Sequence, residues 1–345
     1  MHLFAANDAR VFWSPGNTCA DETGAVRVSQ NGSYFKTGFT GTSLRLSVDT
    51  GLYRANAISA SNWARWIVSV DGGAPRRVAV PAMPGSASVA SLAENLDAGA
   101  HQVIAWYELH DESDTYTPRS AQTVRQILLD PGEDLAPPSG FAAIRPYRAL
   151  ILGDSITKGY DTRDLNDNFP GNYPLSTYAT LLGIGLNAEI GIVGFSGQGW
   201  TRSSNAWSGV FSNTFPNIDS RHPRLFAGFD YLIASHGTND GVSDVTNAAA
   251  EWITGARDLA GPRTWIVLIV PFDGSHETEI RAAVSNYRES RPADERVVAV
   301  SPQSVVHSVP GRLFAVDAAH PNTLAMSWWA AALTGQIVAA TRDKE

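Results

Sequence analysis

The sequence contains very little cysteine and none of the common metal-binding motifs. Cys19 is the single cysteine of 345 residues, so the chain can form neither an internal disulfide nor a thiolate metal cluster. The His-Glu-x-x-His zinc motif is absent, and the acidic stretch 161–168 lacks the central glycine and terminal glutamate of an EF-hand loop. We therefore expect no metal site and no organic cofactor.

Excess positive charge and long apolar runs are also absent. The net charge is −8, which argues against binding to nucleic acid or to an anionic membrane surface. No apolar run approaches the roughly 18 residues of a membrane span. The N-terminus, Met1-His2-Leu3-Phe4, lacks the basic and then apolar pattern of a signal peptide. The default expectation is a cytoplasmic protein, and a trimmed leader or a non-Sec export route would make it secreted or periplasmic.

The first third of the sequence is typical of a β-sandwich. Hydrophobic residues make up 43% of the chain and charged residues 17%, which is a globular composition with enough apolar side chains for two cores. Short β-rich segments bounded by turn residues, with Asp71-Gly72-Gly73 as a hairpin signal, predict a jelly-roll-like sandwich. We expect strands at 11–13, 33–39, 43–48, 66–70, 77–80, 101–107 and 125–129.

A different pattern begins near residue 147. Apolar runs at 149–152, 188–193, 231–234, 265–270 and 297–300 alternate with helical patterns at 176–182, 246–259, 277–288 and 323–340. This alternation predicts an α/β domain with a parallel sheet covered by helices on both faces. Proline and glycine are frequent between 131 and 145. The expected domains are therefore a β-sandwich at 1–136, a linker at 137–146 and an α/β domain at 147–345.

Several residues suited to acyl transfer follow the predicted strands of the second domain. Ser155 comes directly after the first strand, in a Gly-Asp-Ser turn, and Asp317 and His320 stand three residues apart before Pro321. A serine nucleophile needs a base to take its proton and a group that orients the base. Ligands of parallel sheets bind outside the carboxyl ends of the strands. The stretches 194–199 and 237–240 follow two further strands, so all these groups are predicted to meet at one edge.

In these motifs the chain resembles the SGNH or GDSL hydrolase superfamily. Four blocks match in order, and they are Gly153-Asp154-Ser155-Ile156, Gly194-Phe195-Ser196-Gly197, Gly237-Thr238-Asn239-Asp240 and Asp317-Ala318-Ala319-His320-Pro321. With its preceding sandwich the chain is similar to the two-domain carbohydrate esterases of family two, which are acetyl esterases. The resemblance implies a three-layer, flavodoxin-like hydrolase domain at 147–345 and an accessory role for the sandwich.

The resemblance also implies a role for each residue. Ser155 is the expected nucleophile, His320 the base and Asp317 the group that orients it, and His236 is the rival base. The oxyanion hole would combine the backbone N–H groups of Ser155 and Gly197 with the Asn239 side-chain amide. Two further residues, Trp200 and Asp154, are candidates for contact with substrate.

The expected activity is a serine esterase that forms an acyl-enzyme. The resemblance favours short acyl groups, most plausibly acetyl, on a saccharide. Two alternatives remain open: a lipid esterase or thioesterase of the same superfamily, and a carbohydrate-binding protein whose hydrolase domain is idle.

Overall fold

The computed structural model of the chain describes residues 1–57, 63–81, 87–109, 116–117, 121–160, 162, 173–204, 208–303, 313 and 320–341. The chain divides into two compact units, Met1–Ile144 and Arg145–Glu345. The division falls inside the segment predicted as a linker, 137–146. Most of that segment is held by the first unit, because the Ser139 N–H donates to Gln102 Oε1 and Lys36 Nζ donates to the Ala143 carbonyl.

The first unit consists of two antiparallel sheets. One sheet has the strand order β3-β4-β11-β6-β9, with β1 also paired to β11, and the other has the order β12-β5-β10-β7-β8, with β2 paired to β5. The elements are β1 His2–Ala5, β2 Phe12–Trp13, β3 Thr18–Ala20, β4 Val26–Val28, β5 Tyr34–Gly41, β6 Leu44–Asp49, α1 Gly51–Ala55, β7 Arg65–Val70, β8 Arg76–Val78, β9 Ser88–Ala93, β10 Gly99–Glu108, β11 Gln122–Leu129, β12 Leu135–Ala136 and a 3-10 turn at Gly140–Ala142.

The two sheets share one hydrophobic core. Leu46 and Ile127 come from the first sheet, Phe35 and Val103 from the second, and all four are buried in the same cluster. Trp66 joins the sheets by a hydrogen bond, because its Nε1 on β7 donates to Gln122 Oε1 on β11 at 3.1 Å. Two antiparallel sheets packed on one core form a β-sandwich, as predicted.

The second unit is built on a parallel sheet. Its elements are β13 Tyr147–Gly153, α2 Ser155–Lys158, a 3-10 turn at Pro174–Ser176, α3 Tyr178–Gly185, β14 Ala188–Gly194, α4 Phe211–Thr214, β15 Asn217–Asp219, β16 His222–Pro223, β17 Tyr231–Ser235, α5 Thr246–Ala260, β18 Trp265–Ile269, α6 Glu277–Ser290, β19 Val297–Val300 and α7 Thr323–Thr341. Each predicted strand and helix of this domain is present, with ends that differ from the prediction by at most three residues.

The sheet has the strand order β14-β13-β17-β18-β19, which is the flavodoxin-like order 2-1-3-4-5. From β13 the chain moves one way to β14 and then back past β13 to β17, β18 and β19. Right-handed crossovers in opposite directions place their helices on opposite faces. Accordingly α3 packs with α7, while α5 packs with α6. The predicted three-layer α/β architecture is confirmed.

No helix in the described part of the chain is both long and apolar enough to cross a membrane. Within the same residues, no three histidine, cysteine, aspartate or glutamate side chains gather as a metal site would require.

The hydrogen bond between the two sandwich sheets generates a test of stability. Trp66→Phe keeps an aromatic ring but leaves the buried Gln122 Oε1 without its donor, which costs about 1–3 kcal/mol. We expect a calorimetric melting temperature several degrees below that of the parent. The matched control is Trp328→Phe, because Trp328 on α7 is 46% exposed. Equal melting temperatures for the two variants would contradict the proposed contribution of the bond.

Candidate active site

The proposed nucleophile lies where the strand order of the parallel sheet reverses. β13 is flanked by β14 and β17, and the pairing places Gly153 beside both Gly194 and Ser235. The three predicted motifs, which follow β13, β14 and β17, therefore begin at the same edge of the sheet. Ser155 begins α2 two residues beyond the end of the strand and is largely buried.

His320 lies against this serine across a sequence separation of 165 residues. Its Nε2 is 2.8 Å from Ser155 Oγ, a hydrogen-bond distance at which a neutral imidazole can accept the hydroxyl proton. The ring of Tyr160 packs on the imidazole, with ring centroids 4.8 Å apart. The structure thus brings together the two residues predicted to be nucleophile and base.

Hydrogen bonds join the loop after α2 to the start of α7, three residues after His320. Both the N–H and the hydroxyl of Thr323 donate to the Thr162 carbonyl at 2.9 Å. The Tyr160 N–H donates to the Ser155 carbonyl at 3.0 Å, which fixes the same loop to the nucleophile. Sequence analysis missed Tyr160, Thr162 and Thr323, because the hydrogen bonds of Thr162 and Thr323 are made between segments distant in sequence.

Asp317, the predicted orienting acid, lies outside the described residues, so its role stays a prediction. Asp154 is a described carboxylate close enough to His320 to interact with it electrostatically.

Asp154 has a structural position in place of the predicted contact with substrate. Its carboxylate is buried and caps α2, since Oδ1 accepts from the Ile156 N–H at 2.9 Å, and Oδ2 accepts from Asn239 Nδ2 at 2.9 Å. Burial raises the pKa of Asp154 from 3.8 to about 6, against the opposing effects of the backbone N–H groups and of His320. By accepting these hydrogen bonds, the Asp154 carboxylate orients the start of α2 and the Asn239 side chain.

The three predicted oxyanion donors differ in how they are engaged. Among the described residues, neither the Ser155 N–H nor the Gly197 N–H donates a hydrogen bond to a protein acceptor. Asn239 Nδ2, in contrast, donates both to Asp154 Oδ2 and to the Gln198 carbonyl, at 2.9 and 3.1 Å. The amide can therefore bind an oxyanion only by sharing or releasing one of these bonds.

The rival base, His236, is engaged away from Ser155. It is 1% exposed, its Nδ1 lies 3.3 Å from the Gln198 carbonyl, and its ring packs on Phe211. Burial lowers the pKa of His236 to about 4, so the imidazole is neutral at ordinary pH. His320, and not His236, has the geometry of a base for Ser155.

Trp200 is also buried. Its indole is 2% exposed, and Nε1 donates to the His236 carbonyl at 2.9 Å. Its backbone N–H donates to the Asp240 carboxylate, which also accepts from the N–H and the hydroxyl of Thr201. Asp240 thereby ties the loop after β14 to the loop after β17. A side chain at Gly199 would overlap the same carboxylate.

Comparisons with known proteins agree with this architecture. Residues 16–135 match the family model described as carbohydrate esterase 2 N-terminal. The whole chain superimposes on a family two carbohydrate esterase from Cellvibrio japonicus with a TM-score of 0.77 and 18% identity, covering 100% of this chain and 99% of that one. No curated protein matches the sequence.

Two further solved structures have the same fold. An acetyl xylan esterase from the rumen bacterium Butyrivibrio proteoclasticus matches with a TM-score of 0.74 and 16% identity, over 98% of this chain and 99% of that one. A family two carbohydrate esterase from Clostridium thermocellum, in complex with cellohexaose, matches with a TM-score of 0.72 and 18% identity, over 95% and 98%. The predicted resemblance to this family is confirmed.

The raised pKa of Asp154 predicts a change of stability with pH. Because this carboxyl holds its proton more tightly in the folded protein than in the unfolded chain, its contribution to stability is full below about pH 3.8 and declines as the pH rises through about 6. Asp154→Asn cannot titrate. As the pH is raised from about 4 to 7, we expect the melting temperature of Asp154→Asn to rise relative to that of the parent. Asp258→Asn, at an exposed carboxylate, controls for net charge, and a difference that does not change with pH would contradict the prediction.

Proposed function

We propose that this chain, which has the fold of the family two carbohydrate esterases, is a serine esterase whose catalytic domain is residues 147–345. The observation on which the proposal rests is the 2.8 Å contact between Ser155 Oγ and His320 Nε2. It is supported by the N–H groups of Ser155 and Gly197, neither of which donates to an acceptor among the described residues. A nucleophile, a base and oxyanion donors at one point are what acyl transfer requires. The matches to carbohydrate esterases support the assignment to carboxylic ester hydrolases.

The proposed reaction has two steps. Ser155 Oγ attacks the ester carbonyl carbon while His320 Nε2 takes the hydroxyl proton, and the resulting oxyanion accepts hydrogen bonds from the Ser155 and Gly197 N–H groups. His320 then gives the proton to the departing alcohol, which leaves an acyl-enzyme. Water, deprotonated by the same imidazole, attacks the acyl-enzyme, and the acid is released as the proton returns to Ser155.

Asn239 is the proposed third oxyanion donor. The amide donates both to the Asp154 carboxylate and to the Gln198 carbonyl. Because a hydrogen bond to a charged acceptor is stronger than one to a neutral acceptor, a substrate oxyanion displaces the neutral carbonyl more easily than the carboxylate. We therefore place the Asp154 bond as the one that is kept and the Gln198 bond as the one that is exchanged.

The proposed substrate is a short acyl ester, most plausibly acetyl, on a saccharide. Support comes from the matched structures, one of which is an acetyl xylan esterase and another of which is bound to cellohexaose. A fold by itself does not determine the acyl group or the alcohol. The lipid esterase, the thioesterase and the idle-hydrolase alternatives are therefore outcomes of the tests below.

The first test is hydrolysis of p-nitrophenyl esters of increasing acyl length. We expect acetate to be turned over fastest, and Ser155→Ala and His320→Ala each to lower kcat by at least about 10³-fold, because nucleophile and base act as a unit. Ser220→Ala, at an exposed turn, is the matched control. A preference for long acyl chains would favour the lipid esterase or thioesterase alternative. Absence of any Ser155-dependent turnover, with binding to xylan or cellulose retained, would support the binding-protein alternative.

The second test concerns Asp317. An orienting carboxylate fixes the tautomer of the base and stabilises the imidazolium, so Asp317→Asn is expected to lower kcat by roughly 10²- to 10⁴-fold with little change in KM. Asp258→Asn again controls for the change in charge. Parental kcat in Asp317→Asn would exclude Asp317 as the third member of the triad and leave Ser155 and His320 as a dyad.

A further inference from the structure

The loops after β14 and β17 meet at one carbonyl oxygen, that of Gln198. This oxygen accepts from Asn239 Nδ2 at 3.1 Å and is 3.3 Å from His236 Nδ1. We propose that His236 is a positioning residue of the oxyanion hole, acting by a hydrogen bond that keeps the Gln198 carbonyl paired when the Asn239 amide turns from it to an oxyanion. This inference rests on the proposed esterase function and assigns a role to a histidine outside the Ser155 and His320 pair.

The chemistry of the contact fixes the tautomer of His236. A carbonyl oxygen can only accept, so Nδ1 must have the proton and Nε2 the lone pair. Nε2 is buried and has no hydrogen-bond partner in the part of the chain that the structure describes, which suits a lone pair better than an N–H group. Burial of the whole ring keeps the imidazole neutral, so the Nδ1–H bond persists across the ordinary pH range.

A second donor on the Gln198 carbonyl changes what the Asn239 amide can do. A carbonyl oxygen has two lone pairs, and here each has an N–H group directed to it. The bond from His236 keeps the oxygen satisfied when the Asn239 hydrogen turns towards a substrate oxyanion. Without His236, that turn would leave a buried carbonyl unpaired, which is costly. His236 thus lowers the energy of the exchange proposed for Asn239.

Other bonds hold the Gln198 loop independently of His236. Gln198 Nε2 donates to Ser208 Oγ, the Gly209 carbonyl and Thr214 Oγ1, at 3.2, 2.9 and 3.1 Å. The Gln198 backbone N–H donates to the Phe195 carbonyl at 3.1 Å. Loss of the His236 donor is therefore expected to alter the amide without unfolding the loop.

The ring of His236 contributes packing as well as a donor, and two substitutions separate the roles. Its centroid lies 4.1 Å from that of Phe211 and 5.7 Å from that of Trp200. His236→Phe keeps an aromatic ring and removes the donor. His236→Asn removes the ring, but its side-chain N–H occupies nearly the place of Nδ1 and can still donate to the carbonyl.

The test compares kcat and KM of these variants on p-nitrophenyl acetate. We expect His236→Phe to lower kcat by about 10-fold or more, with KM within about two-fold of the parent, since oxyanion stabilisation is felt in the transition state. His236→Asn is expected to recover most of this kcat although its melting temperature is lower. Parental kcat in His236→Phe, or an equal loss of kcat in both variants, would overturn the inference.

Two controls separate this inference from the proposed function. A boronic acid that forms a tetrahedral adduct with Ser155 should bind His236→Phe more weakly, by the same factor as the loss in kcat/KM. If the parent has no Ser155-dependent turnover, the proposed function fails and this inference with it; if the parent is active and His236→Phe is unimpaired, only the inference fails. Nitrogen NMR of the imidazole provides a readout without activity: a protonated Nε2 in the resting protein would also overturn it.

Discussion

The register of three parallel strands determines where the proposed nucleophile and the proposed oxyanion donors lie, and His320 is brought to them from the segment before α7. β13 is paired on one side with β14 and on the other with β17, and Gly153 stands level with both Gly194 and Ser235. A shift of either neighbour along β13 would move its loop by about 3.3 Å per residue, which is the length of a hydrogen bond. The pairing of the strands thus sets the positions of these loops, whichever catalytic side chains they carry.

The buried Asp154 carboxylate lowers the stability of the fold but orders the groups around it. Asp154 is dehydrated, and its raised pKa measures the cost of keeping it ionised. In return it holds the N-terminus of α2 and the Asn239 amide, so it fixes the nucleophile against one oxyanion donor. Such a group is expected at a functional edge, where local stability is often sacrificed to geometry.

Sequence reasoning succeeded where the signal was local or periodic. The apolar runs and helical patterns predicted all five parallel strands, and the Gly-Asp-Ser turn and His320 were found from short motifs. It failed for side chains whose role depends on distant partners. Trp200 looked like a substrate contact because tryptophan often binds sugars, but the structure buries it against His236. In the sandwich, β1, β3, β4, β9 and β12 were missed, because strands of two to four residues and the Ser-Ala-rich β9 give little alternating pattern.

Gly199 limits which substitutions are possible at this edge of the sheet. A side chain there would overlap the Asp240 carboxylate, just as one at Gly153 would overlap the Thr157 hydroxyl. Both positions are therefore closed to substitution unless a neighbour that braces the loops is given up. Laboratory evolution of a new acyl or alcohol preference should therefore keep both glycines and introduce diversity at other positions.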